Sequence, residues 1–248
     1  MSEKKSSRTF INLLGIPCIL AIITAGDSFH QLPIFSLFVG VVLYFGIREI
    51  PIFVKELSGQ PLLPLLFIFI VILQIDRHPT ITWNIPGYNL LIGLTLSAMV
   101  SEIFRGKQTP LINISSLVFA FIWVGIMLGS LSTLRNIPAI GFSITLALFL
   151  AVWICDTAAF WFGMRFGKSK ILPKVSPEKT WVGSIAGLIS SVIFMMILFR
   201  CNFFTYHISY MNAFVLGLIA GIFGQLGDFA ESLLKREANI KDTSDFLR

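Results

Sequence analysis

A chain of 248 residues that is 55% hydrophobic, holds 24 Phe and carries only 13% charged residues lies far from a soluble domain, in which about a quarter of the residues are charged. Its mean hydropathy of +0.83 excludes an ordinary cytoplasmic globule. The net charge of +6 does not make it a nucleic-acid binder, because the Lys and Arg residues sit between apolar runs and not along a polar, aromatic-studded stripe.

Eight apolar segments are predicted, near residues 10–26, 32–54, 62–75, 85–104, 111–134, 137–162, 181–199 and 211–228. At about 20 residues per bilayer crossing they absorb most of the chain and leave a single membrane-embedded domain over residues 1–248. In lipid such runs must be helical, since an open sheet edge would leave backbone groups unpaired. The fold class expected is therefore an all-α polytopic integral membrane protein with about eight transmembrane helices.

The basic start followed by an apolar run has the outline of a signal peptide, but a second span follows within a few residues, so the first segment reads as an uncleaved helix. Pro51, Pro61 and Pro64 predict breaks on either side of residues 55–60, because proline removes a donor and biases its predecessor out of helix. Placing the N-terminus in the cytoplasm puts all of the 19 Lys and Arg on that side except Arg77, Arg135 and Arg200, a strong positive-inside bias. On this reading the basic pI is topology, and any chemistry faces the cytoplasm. Cys18, Cys155 and Cys201 make no CxxC and read as small hydrophobes. His30, His78 and His207 are scattered without ligand spacing.

Polar residues out of place carry the rest. Arg48 and Glu49 are adjacent and do not share a helix face, so each needs its own partner. Asp156 lies inside the sixth apolar run, where an Asp costs about 2.5–3.5 kcal/mol on insertion scales; a cation or a buried basic group must compensate it. Residues 163–179 form the longest and most basic cytoplasmic connection, with Arg165, Lys168, Lys170, Lys174 and Lys179. Its hydroxyls and amines, stiffened by Pro173 and Pro177, suit phosphate oxygens or a surface of anionic lipid. After the eighth span, a continuing helix would align Asp228, Ser232, Lys235, Asn239 and Asp242 on one stripe. For one metal ion to meet both Asp228 and Asp242 the chain must instead turn back near Asn239. The glycine pairs 183/187 and 217/221 permit close helix approach and would bring the helix of Asp228 toward that of Asp156. No Gly-x-Ser-x-Gly elbow and no phosphate-binding Gly-Lys-Ser/Thr loop is present.

These residues make a pattern. Ser232-Leu-Leu-Lys235-Arg236, four residues, then Lys241-Asp242 resembles the first half of the signature of the phosphatidate cytidylyltransferases (CDP-diacylglycerol synthases). Asp156-Thr-Ala-Ala-Phe-Trp-Phe-Gly163, with Ser176-Pro-Glu-Lys179-Thr180-Trp-x-Gly183, is similar to that family's other characteristic stretch. Val182 stands where the family usually has an acid. The family signature also continues past Lys-Asp into a Pro-Gly-His-Gly-Gly stretch, an Asp-Arg-x-Asp and a last membrane helix, so the chain is expected to be C-terminally truncated, to lack a ninth span and to be inactive as it stands.

The resemblance implies a nucleotidyltransferase of phospholipid biosynthesis that passes CMP from CTP to phosphatidic acid, giving CDP-diacylglycerol and pyrophosphate. It implies Mg2+, with room for a second cation, on Asp228 and Asp242, with Asp156 on metal or on a basic partner. Lys235, Arg236 and Lys241 are then expected on phosphates, and Ser176, Lys179 and Thr180 on the nucleotide. The partners implied are CTP, phosphatidic acid and the bilayer, with no nucleic acid and a homodimer left open; the location is the cytoplasmic membrane if bacterial. A CTP-dependent polyprenol kinase, which would need a base to deprotonate its alcohol, and a secondary transporter of an anionic solute are the alternatives.

Overall fold

The computed structural model describes residues 2–25, 33–81 and 83–240, with side chains from residue 14 onward. It contains two compact units, one built from the described residues up to Ile137 and one from Pro138–Asn239. Among the described residues six helices are long and apolar enough to cross a membrane, and Leu14–Ala25 and Leu63–Asp76 are shorter apolar helices. The eight expected segments are thus all helical, and the chain is an all-α polytopic membrane protein apart from one short β-ribbon.

The first unit comprises α1 (Ser2–Ala25), α2 (Ile34–Phe53), α3 (Leu63–Asp76), α4 (Gly87–Arg105), α5 (Pro110–Ala120), a π-helical stretch (Phe121–Leu128) and α6 (Ser130–Arg135). Buried side chains recur at helical spacing, as with Phe35, Val39, Leu43, Ile47 and Ile50 on α2, so each helix buries one stripe and leaves the others to lipid. The proline breaks fall as expected: α2 ends two residues after Pro51, and α3 opens with Pro64 in its first turn. At the end of α4, Gly106 takes a φ of +54° and its N–H closes on the Glu102 carbonyl, a left-handed cap that residues with a Cβ adopt at a cost. Arg48 lies over the Tyr44 ring at 5.9 Å.

Two of the three cations assigned to the outer side have structural employment. Arg77 donates to the carbonyls of Gly125 and Ile126 at 2.9 and 3.1 Å, which lie in the π-helical stretch, where the wider backbone turn redirects carbonyls. Arg135 donates to the Ile23 carbonyl at 2.8 Å. Their positions reflect these backbone partners as well as topology.

A buried polar network went unread in the sequence. Glu102 continues the Leu90, Leu94, Ala98 stripe of α4 and is 6% exposed. It pairs with Arg105 and accepts from Asn113 Nδ2 at 2.9 Å, while Asn113 Oδ1 accepts from the Gln60 N–H at 2.6 Å and Arg105 donates to the Gln60 carbonyl at 3.0 Å. The network fastens the turn between α2 and α3 to α4 and α5. Asn113→Ala removes one donor from a buried carboxylate and one acceptor from a part-buried N–H, so a stability loss of roughly 2 kcal/mol is expected. Thermal unfolding in detergent checks it, with Asn113→Asp expected to be worse because it sets a second carboxylate against Glu102.

The second unit holds α7 (Gly141–Phe166), the antiparallel ribbon β1 (Lys170–Leu172) and β2 (Ser176–Thr180), α8 (Trp181–Arg200) and α9 (Tyr210–Glu237). Its packing is a small-residue design. The buried positions include Ala147, Ala151 and Cys155 on α7, Gly183, Gly187 and Ser191 on α8, and Ala213, Gly217, Ala220 and Gly221 on α9, with Met195 of α8 the large side chain among them. Such stripes let helix backbones approach where lipid supplies no hydrophobic drive. A Cβ on Gly187 would meet the Cys155 carbonyl at 2.8 Å, and one on Gly217 would meet Val192 Cα at 2.7 Å. Gly217 and Gly221 face Val192, Ser191 and Leu188 of α8, while Gly224 on the same stripe faces Val152 of α7 and the Cys155 Sγ of α7 meets the Gly221 carbonyl at 3.9 Å, so α9 does approach the helix of Asp156 as expected. Ser191 seals the α8–α9 contact by donating to the Gly217 carbonyl at 3.0 Å.

Candidate active site

The site is assembled from three elements of the second unit. Asp156 lies fifteen residues into α7, Lys179 is on β2, and Asp228 is on α9, about 27 Å of helix beyond Tyr210 and so close to the far edge of a hydrocarbon core about 30 Å thick. The ribbon brings the lysine in. Trp181 N–H bonds the Ser169 carbonyl at 3.1 Å, pinning the ribbon's base, and Thr180 caps α8 by accepting from the Gly183 N–H at 3.2 Å. Thr180 is 3% exposed and packs beside Gly163 and Gly167, so the backbone next to Lys179 is fixed. At the other end of the ribbon, Arg236 of α9 donates to the Val175 carbonyl at 3.3 Å.

From that frame Lys179 forms an ion pair with Asp228, and its ammonium lies 4.4 Å from the centroid of the Phe229 ring. Asp156 interacts electrostatically with both Asp228 and Lys179. Arg165, nine residues after Asp156, stacks on Trp161 at 5.6 Å and Phe166 at 5.8 Å; among the described residues the cation whose charge acts on Asp156 is Lys179. Two carboxylates and one ammonium from three elements therefore share a locus at one end of the unit.

The remaining expected residues are distributed around it. Lys235, two turns after Asp228, pairs with Glu231 at 2.8 Å. Ser176 starts β2 opposite Leu172 and is half-buried, whereas the Thr180 hydroxyl is occupied in the cap. Lys241 and Asp242 lie outside the described residues. The unbroken stripe through Asn239 does not form: α9 ends at Glu237, and Asn239 has a φ of +55°, a left-handed conformation that Asn tolerates and that stops a helix. The continuous helix is thus the reading that fails, and the path of the chain from Asn239 to Asp242 lies outside the described residues.

Gln225 was missed. It donates from Nε2 to the carbonyls of Gly221 and Ser184 at 2.8 and 3.1 Å and to Cys155 Sγ at 3.5 Å, tying α7, α8 and α9 together one turn before Asp228 and beside Asp156. Its signal was the step of four from Gly217 and Gly221, which puts an amide on the packing stripe.

Among the described residues no group of three or more His, Cys, Asp and Glu could enclose a metal. Asp156 and Asp228 nonetheless fit Mg2+, which binds through one or two carboxylates together with water and substrate phosphates instead of an all-protein cage.

This geometry sets two carboxylates and an ammonium, from α7, α9 and β2, near the end of a polytopic helical frame. The chain belongs to the cytidylyltransferase family, whose model matches residues 6–248. It is 32% identical over 182 residues to the phosphatidate cytidylyltransferase of Haemophilus influenzae, a match covering 71% of this chain and 60% of that protein. With the phosphatidate cytidylyltransferase of Staphylococcus saprophyticus it shares 27% identity over 242 residues, 97% of this chain and 88% of the relative. That of Bacillus subtilis is 27% identical over 164 residues, 66% and 58% of the two chains. The matches to the Haemophilus and Bacillus proteins thus span under two thirds of those relatives' lengths. The expected C-terminal shortfall is not evident in the Staphylococcus match.

Proposed function

We propose that this chain is a CTP:phosphatidate cytidylyltransferase. The observation that carries the reading is the meeting of Asp156, Lys179 and Asp228 in a member of the cytidylyltransferase family. A phosphatidate phosphate oxygen attacks the α-phosphorus of CTP, forming the new P–O bond as the bond to the bridging oxygen of the leaving pyrophosphate breaks. Such a transfer depends on alignment and charge neutralisation more than on covalent help from the protein. An ionised phosphatidate needs no general base. A divalent cation, Mg2+ by the chemistry of the carboxylates, would be held by Asp156 and Asp228 and would neutralise charge on the phosphates.

The chain's own residues do the rest. Lys179 offers a point charge to the nucleotide phosphates, Lys235 and Arg236 lie further along α9 for pyrophosphate or headgroup oxygens, and Ser176 offers a hydroxyl from the ribbon. Thr180 acts through position, by fixing the end of β2. Lys241 and Asp242, outside the described residues, keep the phosphate and cation roles that the family resemblance implies. The apolar faces of α7–α9 let acyl chains stay in hydrocarbon while the headgroup reaches this locus.

The test is cytidylyl transfer by the purified chain in detergent micelles, with labelled CTP, Mg2+ and either phosphatidate or a polyprenol as acceptor. Lipid-linked CMP and stoichiometric pyrophosphate with phosphatidate support the reading; phosphorylation of the polyprenol, or no turnover by a folded preparation, overturns it. In micelles a transporter has no compartment to fill.

The same reading places the N-terminus and the site on the cytoplasmic side, supported by the positive-inside bias. Single cysteines near Lys107 and Lys174 should be protected from an impermeant thiol reagent in intact cells, and one near His78 should be labelled. Labelling at Lys174 would reverse the assignment.

A further inference from the structure

We propose that Lys179 is a built-in counter-ion: it holds Asp228 when no divalent cation is present and leaves that carboxylate when one binds, which frees its ammonium for a nucleotide phosphate. This rests on the reading of Asp156 and Asp228 as the carboxylates that hold the cation. Three features of the structure lead to it. First, Lys179 is ion-paired with Asp228, and Gln225, one turn before Asp228, reaches Cys155 next to Asp156, so the two carboxylates lie on neighbouring helix segments and feel each other's like charge. Lys179 supplies the compensating positive charge from within the chain.

Second, the pair is built to open. Asp228 is 51% exposed and Lys179 27%, and ion pairs in contact with water are weak and easily exchanged. The stem of Lys179 is flexible, but its backbone is held beside the buried, capping Thr180. The ammonium can therefore swing away from Asp228 without moving the ribbon. Third, Phe229 lies under the ammonium at 4.4 Å, offering a ring face that keeps the charge near the site after release.

The consequence is an order of events. Because Lys179 and the cation compete for Asp228, each weakens the other's hold by the same factor. A nucleotide that engages Lys179 removes the competitor and strengthens cation binding. Free cation alone binds poorly, and the cation and CTP are taken up together.

The test uses the full chain in detergent with neither CTP nor phosphatidate. Mn2+ serves as the probe, with free ion counted by electron paramagnetic resonance. Lys179→Met, which keeps the stem and removes the charge, should bind Mn2+ about tenfold or more tighter than wild type, within the range of couplings between linked sites. Lys179→Arg should stay near wild type, and Asp228→Asn should lose the binding. Equal or weaker binding by Lys179→Met overturns the exchange while leaving Asp228 as a ligand if Asp228→Asn still abolishes binding. Unchanged binding in Asp228→Asn overturns the carboxylate reading itself, and the exchange with it.

A second measurement needs no variant. Acetylation of Lys179 in the wild-type chain, followed by mass spectrometry against Lys168 as internal reference, should speed up severalfold when Mg2+ is added. A rate that Mg2+ does not change overturns the proposal.

Discussion

Asp228→Asn is expected to lower cytidylyl transfer by about 10²–10³-fold, the scale on which one preorganised electrostatic contact is lost from an active site. The substitution keeps the size of the side chain and one acceptor oxygen but removes the charge that pairs with Lys179. It removes one of the two carboxylates that fit a cation, and it leaves the Lys179 ammonium over Phe229 without its anion. Insertion of α9 is not harmed, since a neutral amide is easier to place near hydrocarbon than a carboxylate. Glu231→Gln is the matched control. Glu231 is one turn away, half-exposed and paired only along the helix with Lys235, an arrangement contributing about 0.3–0.5 kcal/mol. Its rate should stay within a few-fold of wild type. Rates for Asp228→Asn that match Glu231→Gln would remove Asp228 from the chemistry.

The elements that sequence disclosed most fully are those whose physics is local. A long apolar run has one solution in lipid, so the eight segments were legible as helices. Asp156 stood out for the same reason, as a charge where charge is expensive, and Asp228 as the first residue of a polar stripe at the end of the eighth run. What stayed hidden was set by partners distant in sequence. The π-helical stretch 121–128 has the composition of any apolar helix, and its carbonyls are met by Arg77, from the end of α3. The ribbon read as a loop because β2 carries Pro177, and proline within a strand argues against one except at an edge; in a two-stranded ribbon every strand is an edge. The pairing of Lys179 with Asp228 needed that ribbon's geometry, so the sequence supplied both residues but not their contact. Glu102 was overlooked because its place near the end of a span resembles a boundary charge, while its spacing from Ala98 puts it on the buried stripe. The helical stripe drawn through Asn239 failed at one residue, since periodicity says nothing about a φ of +55°.

The other large effect is expected at Gly183, which touches no substrate in the mechanism above. A Cβ at this position would lie 2.5 Å from the Ala159 carbonyl oxygen, 3.1 Å from Gly163 Cα and 3.1 Å from Thr180 Oγ1. The first two are backbone atoms of α7 and cannot turn aside as a flexible side chain would. Gly183→Ala must therefore push α8 off α7, and overpacking of this kind costs about 1–3 kcal/mol. The displacement also disturbs the N–H of residue 183 that Thr180 accepts, and with it the anchor of β2 beside Lys179. A shift of about 1 Å in a positioning element can cost 10²-fold in rate, so activity should fall further than stability alone explains. Thermal unfolding in detergent should drop by about 2–4 °C per kcal/mol lost. Gly224→Ala is the comparison, because its added Cβ would meet Val152 no closer than 3.5 Å, an ordinary contact. If Gly183→Ala and Gly224→Ala unfold at the same temperature and turn over equally fast, the close α7–α8 crossing does not position Lys179.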